Sequence, residues 1–165
     1  MANLNGRSNL QKIPQTKHVY TESTSYLVKI MKTEFIAPCG MNCRICIAFF
    51  GYTMSGKKRK MKCIGCKPTG KSCAHLKKYC KKLTKKEIEY CYQCSDFPCK
   101  QLQKLDNKYR ERFEMSMIDN LEYIKENGMK NFLQKQEEKY KCPKCGGVIC
   151  VHNGKCYSCD TIIVE

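Results

Sequence analysis

Cysteines set at metal-ligand spacings constrain this chain more than any other feature. Cys142-Pro-Lys-Cys145 and Cys156-Tyr-Ser-Cys159 are two CxxC pairs with ten residues between them, and Cys63-Ile-Gly-Cys66 and Cys91-Tyr-Gln-Cys94 are two more. Cys39-Gly-Met-Asn-Cys43-Arg-Ile-Cys46 is the densest cluster, and Cys73, Cys80, Cys99 and Cys150 stand singly. Fifteen cysteines in 165 residues call for either disulfides or metals. The segment Met1–Arg7 carries charge but has no apolar core after it, so no secretory signal is read there. The most apolar run, Ile45–Met54, is too short to cross a bilayer. The expected compartment is therefore a reducing cytoplasm with no membrane partner. Cysteine pairs there usually serve metals rather than disulfides. The count is also odd, which would leave one thiol unpaired.

The spacing of the cysteines divides the chain. Residues 1–33 form a polar arm rich in Ser, Thr and Asn, in which Tyr26–Ile30 reads as a short strand. Residues 34–99 form a cysteine-rich metal-binding module, 100–140 a helical segment, and 141–165 a zinc ribbon. The expected fold class is a small, metal-stapled, α-rich (α+β) protein. With tryptophan absent and 28% of residues charged, several small metal-stapled clusters fit better than one large apolar core.

Punctuation organises the helical segment. Pro98 suits a first helical turn, with Ser95 and Asp96 as capping candidates. Leu102, Leu105, Tyr109 and Phe113 recur at helical spacing. Ser116 followed by Asp119 is a capping-box variant, and Ile118, Leu121 and Ile124 form the next stripe. Gly128 can end that helix, and Met129, Phe132 and Leu133 begin another. These stripes read as core packing.

At the C-terminus, Cys142, Cys145, Cys156 and Cys159 have the spacing of one tetrahedral zinc site. Val148-Ile149 and Thr161–Val164 read as strands around a turn at His152–Lys155. Cys150 is read as a buried extra thiol and His152 as a turn residue. A module this small buries too little apolar surface to fold unaided, so the ion supplies folding free energy.

The ten cysteines from Cys39 to Cys99 furnish at least two further centres. The expected ligands are Cys39, Cys43, Cys46, Cys63, Cys66, Cys91, Cys94 and Cys99, with Cys73 and Cys80 next. A helix over 42–52 would put Cys43, Cys46, Ile47 and Phe50 on one face. Zinc, about three ions in all, is preferred over [4Fe–4S], although soft thiolates accept both. Neutralised lysines would then have a purpose: three four-thiolate zinc sites at about −2 each lower the formal charge of +16 to roughly +10. His75 is read as exposed beside Lys77 and Lys78.

No Gly-rich phosphate loop, HExxH or paired-carboxylate signature is present, and the three histidines sit in no catalytic motif. The reading is non-enzymatic, with an iron–sulfur redox or metal-handling protein as the alternative. From Lys57 to Lys86 there are 13 Lys or Arg residues and no Asp or Glu. Two readings fit this stripe. One is a nucleic-acid-binding surface formed by Lys57, Lys58, Arg59, Lys60, Lys77, Lys78, Lys81 and Lys82. The other is a solvated face that balances thiolates. An acidic protein is the other partner expected of such a surface.

The pattern Cys39-Gly40, Cys43, Cys46, Cys63-Ile-Gly-Cys66 and Cys91-Tyr-Gln-Cys94-Ser-Asp-Phe-Pro-Cys99 resembles the prokaryotic family called domain of unknown function 3795. Asn120–Gly128 leading to Lys141–Gly146 resembles its tail, so the resemblance spans about residues 34–160. It implies a metal-binding cysteine-rich fold in a bacterial or archaeal cytosol. The family has no established activity.

Overall fold

The computed structural model describes residues 31–67 and 80–163. The expected strand Tyr26–Ile30, together with Cys73, His75, Lys77, Lys78 and Val164, lies outside the described residues. The protein is small and mostly helical. In chain order come 3₁₀ turns at Thr33–Phe35 and Cys43–Ile45, the short helix α1 (Lys81–Thr84), a 3₁₀ turn at Cys91–Gln93, α2 (Lys100–Phe113) and α3 (Met117–Lys139). Among the described residues, β structure is limited to isolated antiparallel bridges, three of them in the C-terminal segment: Lys141 with Val148, Ile149 with Cys156, and Lys155 with Ile162. The C-terminal hairpin is thus represented by single pairings without a sheet.

The expected helix over 42–52 does not form. Only Cys43–Ile45 winds, as a 3₁₀ turn, and Cys46 is already extended at φ −80°, ψ 137°. The Asn42 side chain takes the Arg44 N–H at 3.0 Å, and the Cys46 N–H returns to the Cys43 carbonyl at 3.2 Å. These local bonds close a tight turn and offer nothing to a following helical turn. Cys91–Gln93 repeats the geometry, with Cys94 at φ −81°, ψ 137°.

Helix α2 starts at Lys100 with Cys99 at its N-cap, and Pro98 precedes it instead of occupying its first turn. Ser95 and Asp96 do not cap it; both face the Lys82 ammonium. The helix ends where Glu114 turns left-handed (φ 47°). The Ser116 hydroxyl then accepts from the Asp119 N–H at 2.9 Å, the cap expected of that motif. Within α3, Gly128 sits at φ 79°, ψ 162° and breaks the helical path, so the element is two helices joined at a kink. That conformation is essentially reserved for glycine.

Ile36, Ile45, Leu102, Leu121, Phe132 and Met117 make up the deepest part of the core, which joins the cysteine-rich module to α2 and α3. A buried carboxylate locks the helix pair. Asp106, 1% exposed on α2, accepts from the Ser116 hydroxyl (2.8 Å) and from the Met117 and Ile118 N–H groups (2.6 and 3.0 Å) at the start of α3. Its other oxygen accepts from Arg110 Nε at 2.6 Å. Burial alone would raise this carboxyl, but the hydrogen bonds from Ile118, Arg110, Ser116 and Met117 outweigh it and hold the group below its ordinary value. Asp106→Asn removes the charge and one acceptor position. It should lower stability by about 1.5–3 kcal/mol, measured as a shift in the denaturant midpoint of the metal-loaded chain.

Candidate metal centres

The C-terminal thiols meet at one point. Cys142 to Cys159 is 3.8 Å and Cys145 to Cys156 is 3.5 Å, sulfur to sulfur. All four ligand atoms lie within 4.8 Å of one another, and no other set of three or more possible ligands among the described residues does so. Four thiolates at ~2.3 Å from one tetrahedral ion stand ~3.8 Å apart, so these separations are those of a mononuclear site. The backbone explains the convergence. The Gly146 N–H returns to the Cys142 carbonyl, and the Cys142 N–H bonds the Gly147 carbonyl at 2.7 Å, which folds the first knuckle on itself. Pairing of the Cys156 N–H with the Thr161 carbonyl folds the second.

The site is also polarised toward thiolate. The Thr161 hydroxyl and N–H, with Cys145 and Cys156, hold the Cys159 thiol down to about 6. The Gly147 N–H, 3.4 Å from Cys145 Sγ, favours the thiolate there too, but the crowded thiols of Cys159 and Cys156 outweigh it and push Cys145 up to about 12. Four sulfurs this close cannot all be anionic without a cation between them. The fit to a thiolate-loving ion therefore rests on the donor set itself. Cys142 and Cys156 are buried, whereas Cys145 is exposed, so an ion would have access from one side.

In the N-terminal module, the knuckles Cys43–Cys46 and Cys63–Cys66 face each other. Cys43 and Cys66 are 3.7 Å apart, and Cys46 feels Cys63 and Cys150 as neighbouring thiols. Cys39 lies near Cys43. Gly40 explains this position: its Cβ would sit 2.6 Å from the Met117 carbonyl, so only glycine lets the Cys39 turn reach α3. Cys80, Cys91, Cys94 and Cys99 line a separate small cavity. Cys150, fully buried, thus faces the N-terminal thiols rather than the C-terminal four.

Backbone bonds carry that placement. The Val151 N–H donates to the Ile45 carbonyl at 2.9 Å, and the Ile47 N–H donates to His152 Nδ1 at 3.2 Å. Since Nδ1 accepts, the imidazole proton sits on Nε2 and points to the Tyr109 hydroxyl at 3.2 Å, while Phe113 packs edge-on against the ring at 4.7 Å. His152 is a turn residue, as read from sequence, but one turned inward to join three segments. The spacing of its neighbours gave no signal of this.

Of the predicted basic residues, Lys57, Lys58, Arg59, Lys60 and Lys81 are exposed. Lys82 is tied inward, its ammonium at 3.3 Å from Cys94 Sγ and 3.2 Å from Asp96. The exposed loop borders a shallow groove of about 430 Å³ lined by Phe49, Phe50, Tyr52, Ile64 and Tyr157, in which Tyr157 is stacked between Phe50 (4.6 Å) and Tyr52 (5.0 Å). No helix of the described residues is long and apolar enough to cross a membrane.

Residues 35–104 match the model of a family described as Protein of unknown function (DUF3795). This stretch, under half of the chain, is similar to that family and carries the first ten cysteines, Cys39 to Cys99; the match ends before α3 and the C-terminal four. No curated protein and no solved structure matches the chain.

Two outcomes test this geometry. Changing Cys142 and Cys145 to Ser should remove one equivalent of bound metal per chain, read by elemental analysis. Separately, burial pushes His152 down to about 4 from an ordinary 6.5. The unfolded chain then binds a proton that the folded chain refuses. Stability from this group is complete above pH 6.5 and falls progressively as pH drops toward 4. An NMR titration of the imidazole should show it neutral well below pH 6.

Proposed function

We propose that this chain is a non-enzymatic, zinc-stapled binding module whose partner is nucleic acid. The observation that carries the zinc reading is the convergence of Cys142, Cys145, Cys156 and Cys159 within 4.8 Å. Four cysteine thiolates in a closed tetrahedron are the ligand set of structural zinc, which leaves no open position for a substrate. The C-terminal segment is then a zinc ribbon reduced to single bridges, with the ion doing the work a sheet and an apolar core would otherwise do. About three ions in all would account for the remaining thiol groups. Protein purified without oxygen should be colourless and contain zinc. A brown protein containing iron would instead point to the [4Fe–4S] alternative.

The partner reading rests on position. Lys57, Lys58, Arg59, Lys60 and Lys62 are all exposed on one loop, held by the Tyr52–Lys58 bridge beside the aromatic groove. Lysines attract a phosphate backbone without reading bases, and Phe and Tyr rings accept unstacked bases of any sequence. The fitting ligand is single-stranded nucleic acid with little sequence preference. Binding, followed by fluorescence anisotropy, should weaken steeply between roughly 50 and 200 mM salt. Changing Lys57, Lys58, Arg59 and Lys60 to Gln should flatten that dependence with metal content unchanged. Tyr52→Ala should weaken single-strand binding by about 1–3 kcal/mol while leaving the salt slope intact. Absence of binding at micromolar metal-loaded protein would refute the nucleic-acid reading and favour an acidic protein partner.

A further inference from the structure

Cys80, Cys91, Cys94 and Cys99 come from three different local contexts, yet they line one cavity. Cys80 is the N-cap of α1, Cys91 and Cys94 are the two ends of a 3₁₀ knuckle, and Cys99 is the N-cap of α2. Three of these are extended positions that flank a turn or helix: Cys80 (φ −110°, ψ 103°), Cys94 (φ −81°, ψ 137°) and Cys99 (φ −72°, ψ 158°). The four cysteines line a cavity of about 20 Å³ together with Ile88, Asp96, Phe97 and Leu102. That volume accommodates about one water-sized body. No three of these sulfurs lie mutually within the 4.8 Å that the C-terminal four satisfy, so side-chain rotation would have to draw them onto a centre.

Two further observations separate this cavity from an ordinary apolar void. The Lys82 ammonium stands 3.3 Å from Cys94 Sγ and also contacts Ser95 Oγ (3.1 Å) and Asp96 Oδ2 (3.2 Å). A neutral thiol is a poor acceptor for an ammonium, whereas a thiolate is a good one, and a four-thiolate zinc site carries about −2. The knuckle also matches Cys43–Cys46 in backbone form and is anchored on the rest of the protein. The Cys91 N–H donates to the Pro38 carbonyl at 2.9 Å, and Gln93 Oε1 accepts from the Glu89 and Tyr90 N–H groups at 2.8 and 3.0 Å. These bonds hold the knuckle through its backbone and Gln93, not through its thiols. Cys80, Cys99 and Cys94 all lie close to the Cys91 thiol.

We infer that Cys80, Cys91, Cys94 and Cys99 form a second mononuclear zinc site, distinct from the C-terminal four, with the Lys82 ammonium balancing part of its charge. This rests on the zinc reading above and extends it by assigning the ligands. A cube of four irons and four sulfides does not fit a space of one water-sized body, so a single ion is the occupant. The inference also removes Lys82 from the nucleic-acid surface, because its charge is already engaged.

The test uses the full chain, purified without oxygen, with zinc counted per chain. Changing Cys91 and Cys99 to Ser should remove one equivalent, changing Cys142 and Cys145 should remove another, and the combined variant should lose two. Loss of one equivalent from the C-terminal variant with none lost from Cys91→Ser/Cys99→Ser would overturn this site and leave the zinc reading standing. A wild-type chain without zinc would overturn both. Because the variant can fail to fold, thiol alkylation of the wild-type protein provides an independent measure. Cys80, Cys91, Cys94 and Cys99 should be protected when loaded and become reactive together as a chelator is added. Reactivity that appears at different chelator concentrations for the four would refute a shared ion.

Discussion

A CxxC turn brings two thiols close together, and the rest of the chain has to bring the two such turns, or a turn and two single cysteines, to a common point. Partly buried sulfurs at 3.5–3.8 Å are stable as neutral thiols or around a cation, but not as bare anions. This requirement explains why the backbone around each cysteine is so short-ranged and so thoroughly hydrogen-bonded. The knuckle at Cys43–Ile45 is closed by Asn42 and that at Cys91–Gln93 by Gln93, in both cases through side chains that satisfy N–H groups a few residues away. Helices α2 and α3 then act as the frame on which these turns are mounted. Cys99 starts one of them, and the Cys39 turn lies against the other through Asn120, whose amide donates to the Gly40 carbonyl at 3.0 Å.

Much of this frame can be read from residue types. Ser116 and Asp119 announce the start of α3, Gly128 its kink, and the spacing of Cys142, Cys145, Cys156 and Cys159 their convergence, because each of these depends on residues within one or two turns of each other. What cannot be read depends on residues far apart in the chain. Nothing in the spacing of Asp106 indicates that it caps the next helix, since the cap exists only once the start of α3 is folded back against α2. Cys150 fits no pair in sequence, and its neighbour Cys46 lies far upstream. The helix expected over 42–52 failed for the opposite reason: the apolar spacing was helical, but the local bonds of Asn42 and Cys46 won.

Charge follows the same division. Lysines that look equivalent in a basic stretch separate once folded into those on the open loop, such as Lys57 to Lys60, and one turned toward sulfur, Lys82. A count of basic residues overstates the surface field because part of it is cancelled where the thiols are.

The joint at His152 has a consequence for how the chain is made. Ile47 and His152 are separated by 105 positions, and the Val151–Ile45 bond spans a similar distance. Knuckles can close as soon as their own few residues leave the ribosome, but the Ile45 carbonyl and Ile47 N–H must wait for Val151 and His152. Until then the N-terminal module exposes a short unsatisfied edge. Synthesis and completion of the N-terminal module are thus coupled across more than a hundred positions, and a chain stalled before His152 would present that edge to its surroundings.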